Sequence, residues 1–203
     1  MALFSKPGPQ TPKIDYLLIL LGANDAVVPL KTVHQFVPIE QYKKNLGAII
    51  NHPHIAVHKP TILLVTPPPV DEVKLTRIDT AEGHASATRT ADRTAKYAET
   101  AREVAQENPQ VVLVDLWQAV MAKAIEMTPG GHPSDGPLLG SLESGKQGGL
   151  DVLLPDGLHM GSIAYKVFWD QVVPHFGGER DPEDKSGYHL PEWRSLGPVN
   201  RSS

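Results

Sequence analysis

Two short constellations in this chain carry residue types that do acid–base chemistry. In "LLPDGLHMGS" (Leu153–Ser162), Asp156 and His159 stand three residues apart, just ahead of an amphipathic stretch. A carboxylate at that spacing can accept from the imidazole Nδ1–H while Nε2 faces outward, which is the orienter-plus-base half of a nucleophilic triad. The same pair also reads as an N-cap Asp beside a surface His. The second constellation is "LLILLGANDAVVP" (Leu17–Pro29), where a solid apolar run stops at Gly22 and polar residues follow at once. Gly22 would let the backbone turn and approach a ligand closely. Asn24 offers a neutral amide donor, suited to a developing oxyanion. The plainer alternative for Asn24 and Asp25 is an Asx-turn or helix cap, and Asp25 suggests nothing beyond that.

The elements that must position these residues alternate along the chain. Asp15–Gly22, Thr61–Pro69 and Val111–Trp117 are continuous apolar runs ending in polar or Pro-rich turns, the pattern of buried parallel strands. Between them, Pro38–Ile50 places Ile39, Tyr42, Leu46, Ile49 and Ile50 on one stripe, with Pro38 at the start. Ser86–Asn108 is Ala-rich and amphipathic and is stopped by Asn108-Pro109. Leu116–Met127 and Ser162–Phe176 complete the helical set. Alternating strands and helices imply an α/β sandwich around a mostly parallel sheet, with ligands outside the carboxyl ends of the strands. Gly22 and Asn24 lie at such an end. Pro129–Leu150 is Gly-, Pro- and Ser-rich and reads as a long loop, and Gly177–Ser203 as a polar, disordered tail. The expected organisation is one domain over residues 1–176 followed by the tail 177–203.

Bulk properties narrow the classes. The chain has 203 residues, net charge -4, 40% hydrophobic and 21% charged residues. No basic stripe points to nucleic acid and no polybasic segment to a membrane surface. The absence of cysteine excludes disulfides and thiolate metal sites. The longest apolar run is far too short to span a bilayer, and "MALFSKPGPQTPK" has no signal-peptide core, so a cytoplasmic location is expected.

Taken together, G-A-N-D closing a strand and D-G-L-H opening the last helix resemble signature blocks of the SGNH (GDSL-type) esterase and lipase family. "HQFVPIEQYKKNL", "ILLVTPPPVDE" and "YAETAREVAQE…VVLVDLW" resemble its isoamyl acetate-hydrolysing esterase branch. The resemblance covers Ile14 to about Val173. It implies a three-layer αβα, flavodoxin-like fold and hydrolysis of small carboxylic esters without metal or organic cofactor. It implies Asn24 as an oxyanion donor in the same block as Gly22, His159 as the general base and Asp156 as its orienter. The family's first block is a Gly-Asp-Ser directly after the first strand, and its Ser is the nucleophile. No Gly-Asp-Ser occurs in this sequence, and Ser5 in "LFSKPG" has neither the preceding strand nor the right neighbours. "MALFSK" resembles the remnant of the helix before Asp15. The resemblance therefore implies a domain lacking its N-terminal strands, as a truncated or alternatively spliced form would, and a chain inactive by itself or serving a binding or regulatory role. Asp15–Leu21 then becomes an edge strand, uncharged beyond Asp15, that invites self-association. Where the family has Ser or Thr, this chain has Gly161, and Ser162 is expected to cap the last helix one residue late.

Three further motifs mislead. "GSLESGKQ" (Gly140–Gln147) has the glycines and lysine of a P-loop, but Gln147 stands where Ser or Thr must hold Mg²⁺. His52, His54 and His58 in "HPHIAVH" lack an acidic partner and read as surface histidines. Pro67-Pro68-Pro69, following a buried strand, reads as a rigid cleft wall.

Overall fold

The computed structural model describes residues 6–8, 11, 13–30 and 34–176. The expected tail at 177–203 and the proposed helical remnant around Ser5 lie outside these residues. Elements follow in the order β1 (Tyr16–Leu20), α1 (Ile39–Ile50), α2 (Pro53–Ala56), β2 (Thr61–Val65), α3 (Glu72–Ala81), α4 (Ala91–Glu107), β3 (Val111–Val114), α5 (Leu116–Glu126), α6 (Leu150–Leu153) and α7 (Ser162–Val172), with a 3-10 turn at Val173–His175. The three strands form one parallel sheet in the order β1-β2-β3. Tyr16 pairs with Thr61, and Ile62 with Val111.

Strand periodicity divides the core into two layers. Successive side chains point to opposite faces. Ile62 and Leu64 of β2, with Val111 and Leu113 of β3, therefore meet α1 and α4 through Tyr42, Leu46, Tyr97 and Val104. Leu63, Val65, Val112 and Val114 meet α5, α6 and α7 on the other face. Both faces are covered, so the strands read as apolar runs without alternation. The result is the expected three-layer α/β sandwich.

Helix starts follow from capping oxygens. Asp71, Thr90 and Asp115 accept from the backbone N–H groups of Lys74, Arg93 and Gln118. This corrects several expectations. The helix expected from Ser86 begins only at Ala91, because Thr90 caps it and the preceding residues form turns. Glu72–Ala81 is a helix that the apolar pattern does not announce. Its buried residues are Lys74, Leu75 and Asp79, so two polar side chains interrupt the stripe. The expected strand ends shorten to Leu20, Val65 and Val114. Ser162 does not cap α7: Gly161 holds the N-cap position and no side chain bonds there. His58 is no surface histidine. It is buried, and its Nδ1 accepts from the Ile14 N–H. Among the described residues no three His, Asp or Glu side chains gather as metal ligands.

Pro129–Leu150 holds no helix before α6 and yet is not a detached loop. Leu139 and Leu150 are buried in the α5–α7 layer. Leu64, in the middle strand and fully buried, is flanked on every side. Leu64→Ala should cost about 2–5 kcal/mol in urea unfolding. Leu18→Ala, on the exposed face of β1, should stay within about 0.5 kcal/mol.

Candidate active site

The Asp156–His159 pair is assembled by its own backbone. One carboxylate oxygen, Oδ1, accepts from the N–H groups of Leu158 and His159 at 2.9 and 2.7 Å. That turn leaves Oδ2 facing the ring, 2.6 Å from His159 Nδ1. Partial burial pushes the Asp156 carboxyl up, but the His159 ring and the two amides outweigh it and hold it at about 2. The carboxylate is therefore ionised at neutral pH and can only accept. Nδ1 therefore carries a proton toward Oδ2, which leaves Nε2 as the ring nitrogen available to other partners. The His159 side chain is 79% exposed.

Two contacts hold this turn in place. Gly157 adopts φ +86°, and a Cβ there would stand 3.1 Å from the Asp71 carbonyl oxygen. Its own carbonyl accepts from the Asp71 N–H at 2.9 Å. Just upstream, the buried Lys74 ammonium donates to the carbonyls of Asp151, Leu154 and Pro155 at 2.7, 3.1 and 3.2 Å. It also pairs with the Asp151 carboxylate at 2.8 Å. Gln147 donates to Asp71 Oδ2 at 2.7 Å. The residue that spoils the P-loop pattern thus braces the cap of α3.

The other candidate group is the turn after β1. Gly22 has φ +116°, and a Cβ would meet Tyr42 Oη at 2.9 Å and Pro67 Cγ at 3.0 Å. Only glycine fits that conformation and that space. Pro67 is buried against it, in keeping with a rigid wall. Asp25 Oδ2 accepts from the Gly22 N–H at 3.2 Å, closing the turn. Asp25 therefore has the turn role expected of it. Asn24 is exposed, and its Oδ1 accepts from Arg89 Nη2 at 2.8 Å. Arg89, from the α3–α4 connection, also donates through Nε to the Ala23 carbonyl at 2.8 Å.

Sequence reasoning missed Lys74, Asp71, Gln147 and Arg89. The expected span Ser86–Asn108 includes Arg89 because it starts α4 too early. The Thr90 cap with Asp92 in the first turn is the signal that places Arg89 before the helix. Asp71 followed by Glu72 was a similar signal for α3.

The parallel sheet between two helical layers, with both turns beyond the carboxyl ends of its strands, is the fold of the SGNH class of α/β domains. The chain belongs to the GDSL-like Lipase/Acylhydrolase family, whose family model matches residues 3–167. It is 28% identical over 157 residues to a GDSL esterase/lipase of Arabidopsis thaliana, covering 76% of this chain and 55% of that protein. A second Arabidopsis GDSL esterase/lipase is 42% identical over 55 residues, 27% of this chain and 23% of that one. Among solved structures, a lipase/acylhydrolase from Enterococcus faecalis aligns with a TM-score of 0.50 and 21% identity, over 79% of this chain and 60% of that chain. An acetylxylan esterase from Geobacillus stearothermophilus aligns with a TM-score of 0.52 and 16% identity, over 82% and 61%. The match thus spans about half of the first Arabidopsis relative, under a quarter of the second, and about three fifths of the two solved structures.

Asp156 ordinarily titrates near 4 when unfolded. Its lowered folded value adds stability that is present above that pH and lost as pH falls toward about 2. NMR titration should place the carboxyl midpoint near 2, and His159→Ala should move it upward. Lys74→Met leaves the buried Leu154 carbonyl, and the part-buried carbonyls of Asp151 and Pro155, without their donor, and an unsatisfied buried group costs about 1–3 kcal/mol. The substitution should destabilise the protein by about 3 kcal/mol or more in urea unfolding, with faster amide exchange at Leu158 and His159.

Proposed function

We propose that this chain carries the base, its orienting carboxylate and one oxyanion donor of a serine-type carboxylic ester hydrolase. Its substrates would be short-chain acyl, acetate-like esters, as in the isoamyl acetate-hydrolysing branch, and it would act in the cytoplasm. The observation that supports this most is the 2.6 Å contact between Asp156 Oδ2 and His159 Nδ1, which leaves Nε2 as the free ring nitrogen. No Gly-Asp-Ser lies within the sequence, so in this proposal the nucleophilic serine comes from outside these residues. Its Oγ attacks the ester carbonyl carbon while its proton passes to His159 Nε2. Asp156 remains ionised, fixes the tautomer and stabilises the imidazolium. Asn24 Nδ2–H donates to the tetrahedral oxyanion, a contribution of roughly 3 kcal/mol for one such donor. Nε2 then protonates the leaving alcohol. Water repeats the sequence on the acyl-serine and returns the serine hydroxyl. Nothing in this chemistry calls for a metal or an organic cofactor.

The chain alone should hydrolyse p-nitrophenyl acetate no faster than buffer. A form joined to a Gly-Asp-Ser strand should hydrolyse it, and His159→Ala in that form should lower kcat on the order of a million-fold. Turnover that survives His159→Ala sinks the assignment. Turnover by the chain alone that depends on His159 shows that the nucleophile lies within it.

A second, non-catalytic reading is favoured by an apolar surface. Leu18 is exposed on β1, an edge of the sheet among the described residues, and Leu21 is exposed just after it. A groove of about 440 Å³ runs between Leu18 and the α7 residues Tyr165, Phe168 and Trp169. In this reading a second copy of the chain docks there. Sedimentation should show a dimer at micromolar concentration, and Leu18→Lys should give a monomer with unchanged circular dichroism. A wild-type monomer at the same concentration counts against it.

A further inference from the structure

Arg89 stands out because a guanidinium is buried where the chemistry proposed above needs no cation. It is 8% exposed. Its three nitrogens are all engaged: Nε donates to the Ala23 carbonyl at 2.8 Å, Nη1 to Thr88 Oγ1 at 3.3 Å and Nη2 to Asn24 Oδ1 at 2.8 Å. Beneath it, the buried Asp79 accepts from the Thr88 N–H at 2.6 Å. The Thr88 carbonyl in turn accepts from the Val28 N–H at 2.8 Å. The α3–α4 connection is therefore clamped onto the turn that carries Asn24 from both sides of that residue.

The chemistry of this contact settles which way the Asn24 amide faces. An asparagine presents an acceptor at one end and two donors at the other, and the two ends look alike in shape. A guanidinium has donors only. The end facing Arg89 must be Oδ1, and Nδ2 must point away from it. A flipped amide would set N–H groups against N–H groups on a buried cation. A charge-assisted bond to Oδ1 also draws electron density from the amide, which strengthens Nδ2–H as a donor.

We infer that Arg89 is a positioning residue that locks the Asn24 side chain with its Nδ2 donor turned away from the guanidinium. This rests on the oxyanion role proposed for Asn24, and it adds the group that makes an exposed, flexible amide into a fixed donor. Preorganisation is what gives such donors their value, since a donor that must reorient during the reaction loses much of its effect. Lysine is a poor substitute here, because a single ammonium cannot hold three acceptors in the plane of a fork.

The test reads the amide itself, in the 203-residue chain. The Asn24 Nδ2 resonances are assigned by their disappearance in Asn24→Asp. In the wild type their ¹⁵N relaxation should match the order of the surrounding backbone. In Arg89→Met and Arg89→Lys the side-chain order should fall by at least half, while the backbone of residues 22–28 keeps its wild-type order. An amide as ordered as the wild type in either folded variant overturns the inference. So does a backbone that loosens together with the amide, because Arg89 would then merely support the loop. Should Arg89→Met fail to fold, Arg89→Lys decides the question by the same readings. The measurement needs no hydrolysis. A failed esterase reading appears instead as turnover indifferent to His159→Ala, whatever the Asn24 amide does.

Discussion

The Lys74 ammonium is buried under the loop that precedes Asp156, where it meets three backbone carbonyls and one carboxylate. Taking an ammonium out of water costs several kcal/mol, and the attraction of its partners offsets this only if the geometry is good and the donors are used. Here all three protons have acceptors. Because most of those acceptors are main-chain, the interaction fixes the path of the chain through Asp151, Leu154 and Pro155. The next residues are the Asp156–His159 turn. A loop of that kind would otherwise open locally at little cost. One buried charge therefore helps to decide where His159 stands.

The segment from the end of β2 to the start of α4 supplies nearly everything that holds the site without contributing a group to its proposed chemistry. Asp71 grips Gly157 through its backbone, Lys74 the loop before it, and Thr88 and Arg89 the Asn24 turn. Glu72 joins the two ends of the segment by accepting from the Ala91 N–H at 3.0 Å. The Asp156–His159 turn and the Asn24 turn are thus both tied to one shared brace. A change in how α3 docks would move both.

How much of this was legible in the sequence follows from the kind of interaction involved. The three strands and the long helices were legible because their apolar periodicity reports burial directly, as in Ile62–Val65 or Tyr42 and Leu46. The Asp156–His159 contact was legible because a three-residue spacing in a turn is local. Lys74 and Arg89 were not. Each acts across more than sixty residues of sequence, on partners that are backbone atoms or a single amide, and no spacing rule encodes that. Helix α3 was hidden for the same reason. Its buried face carries Lys74 and Asp79 for polar partners, so its hydrophobic stripe is broken where its structural duty is greatest.

The exposure of His159 says what Asp156 contributes in this structure. Two unit charges 4 Å apart attract by about 1 kcal/mol in water and about 4 kcal/mol at an effective dielectric of 20. With the His159 side chain 79% exposed and that of Asp156 51% exposed, the pair sits nearer the aqueous limit. Electrostatic stabilisation of an imidazolium by Asp156 is correspondingly small here. Orientation is not screened in that way. The two backbone amides on Oδ1 and the ring on Oδ2 fix the carboxylate, and the carboxylate fixes the tautomer, whatever the dielectric. The Asn24 amide is exposed too, and its orientation is likewise set from below, by a buried cation. Both turns hold their polar groups in place while leaving them open to water. Strengthening such groups toward the values that oxyanion stabilisation reaches in catalysis requires excluding that water. Geometry and dielectric are thus separable in this molecule: the buried braces set the first without setting the second.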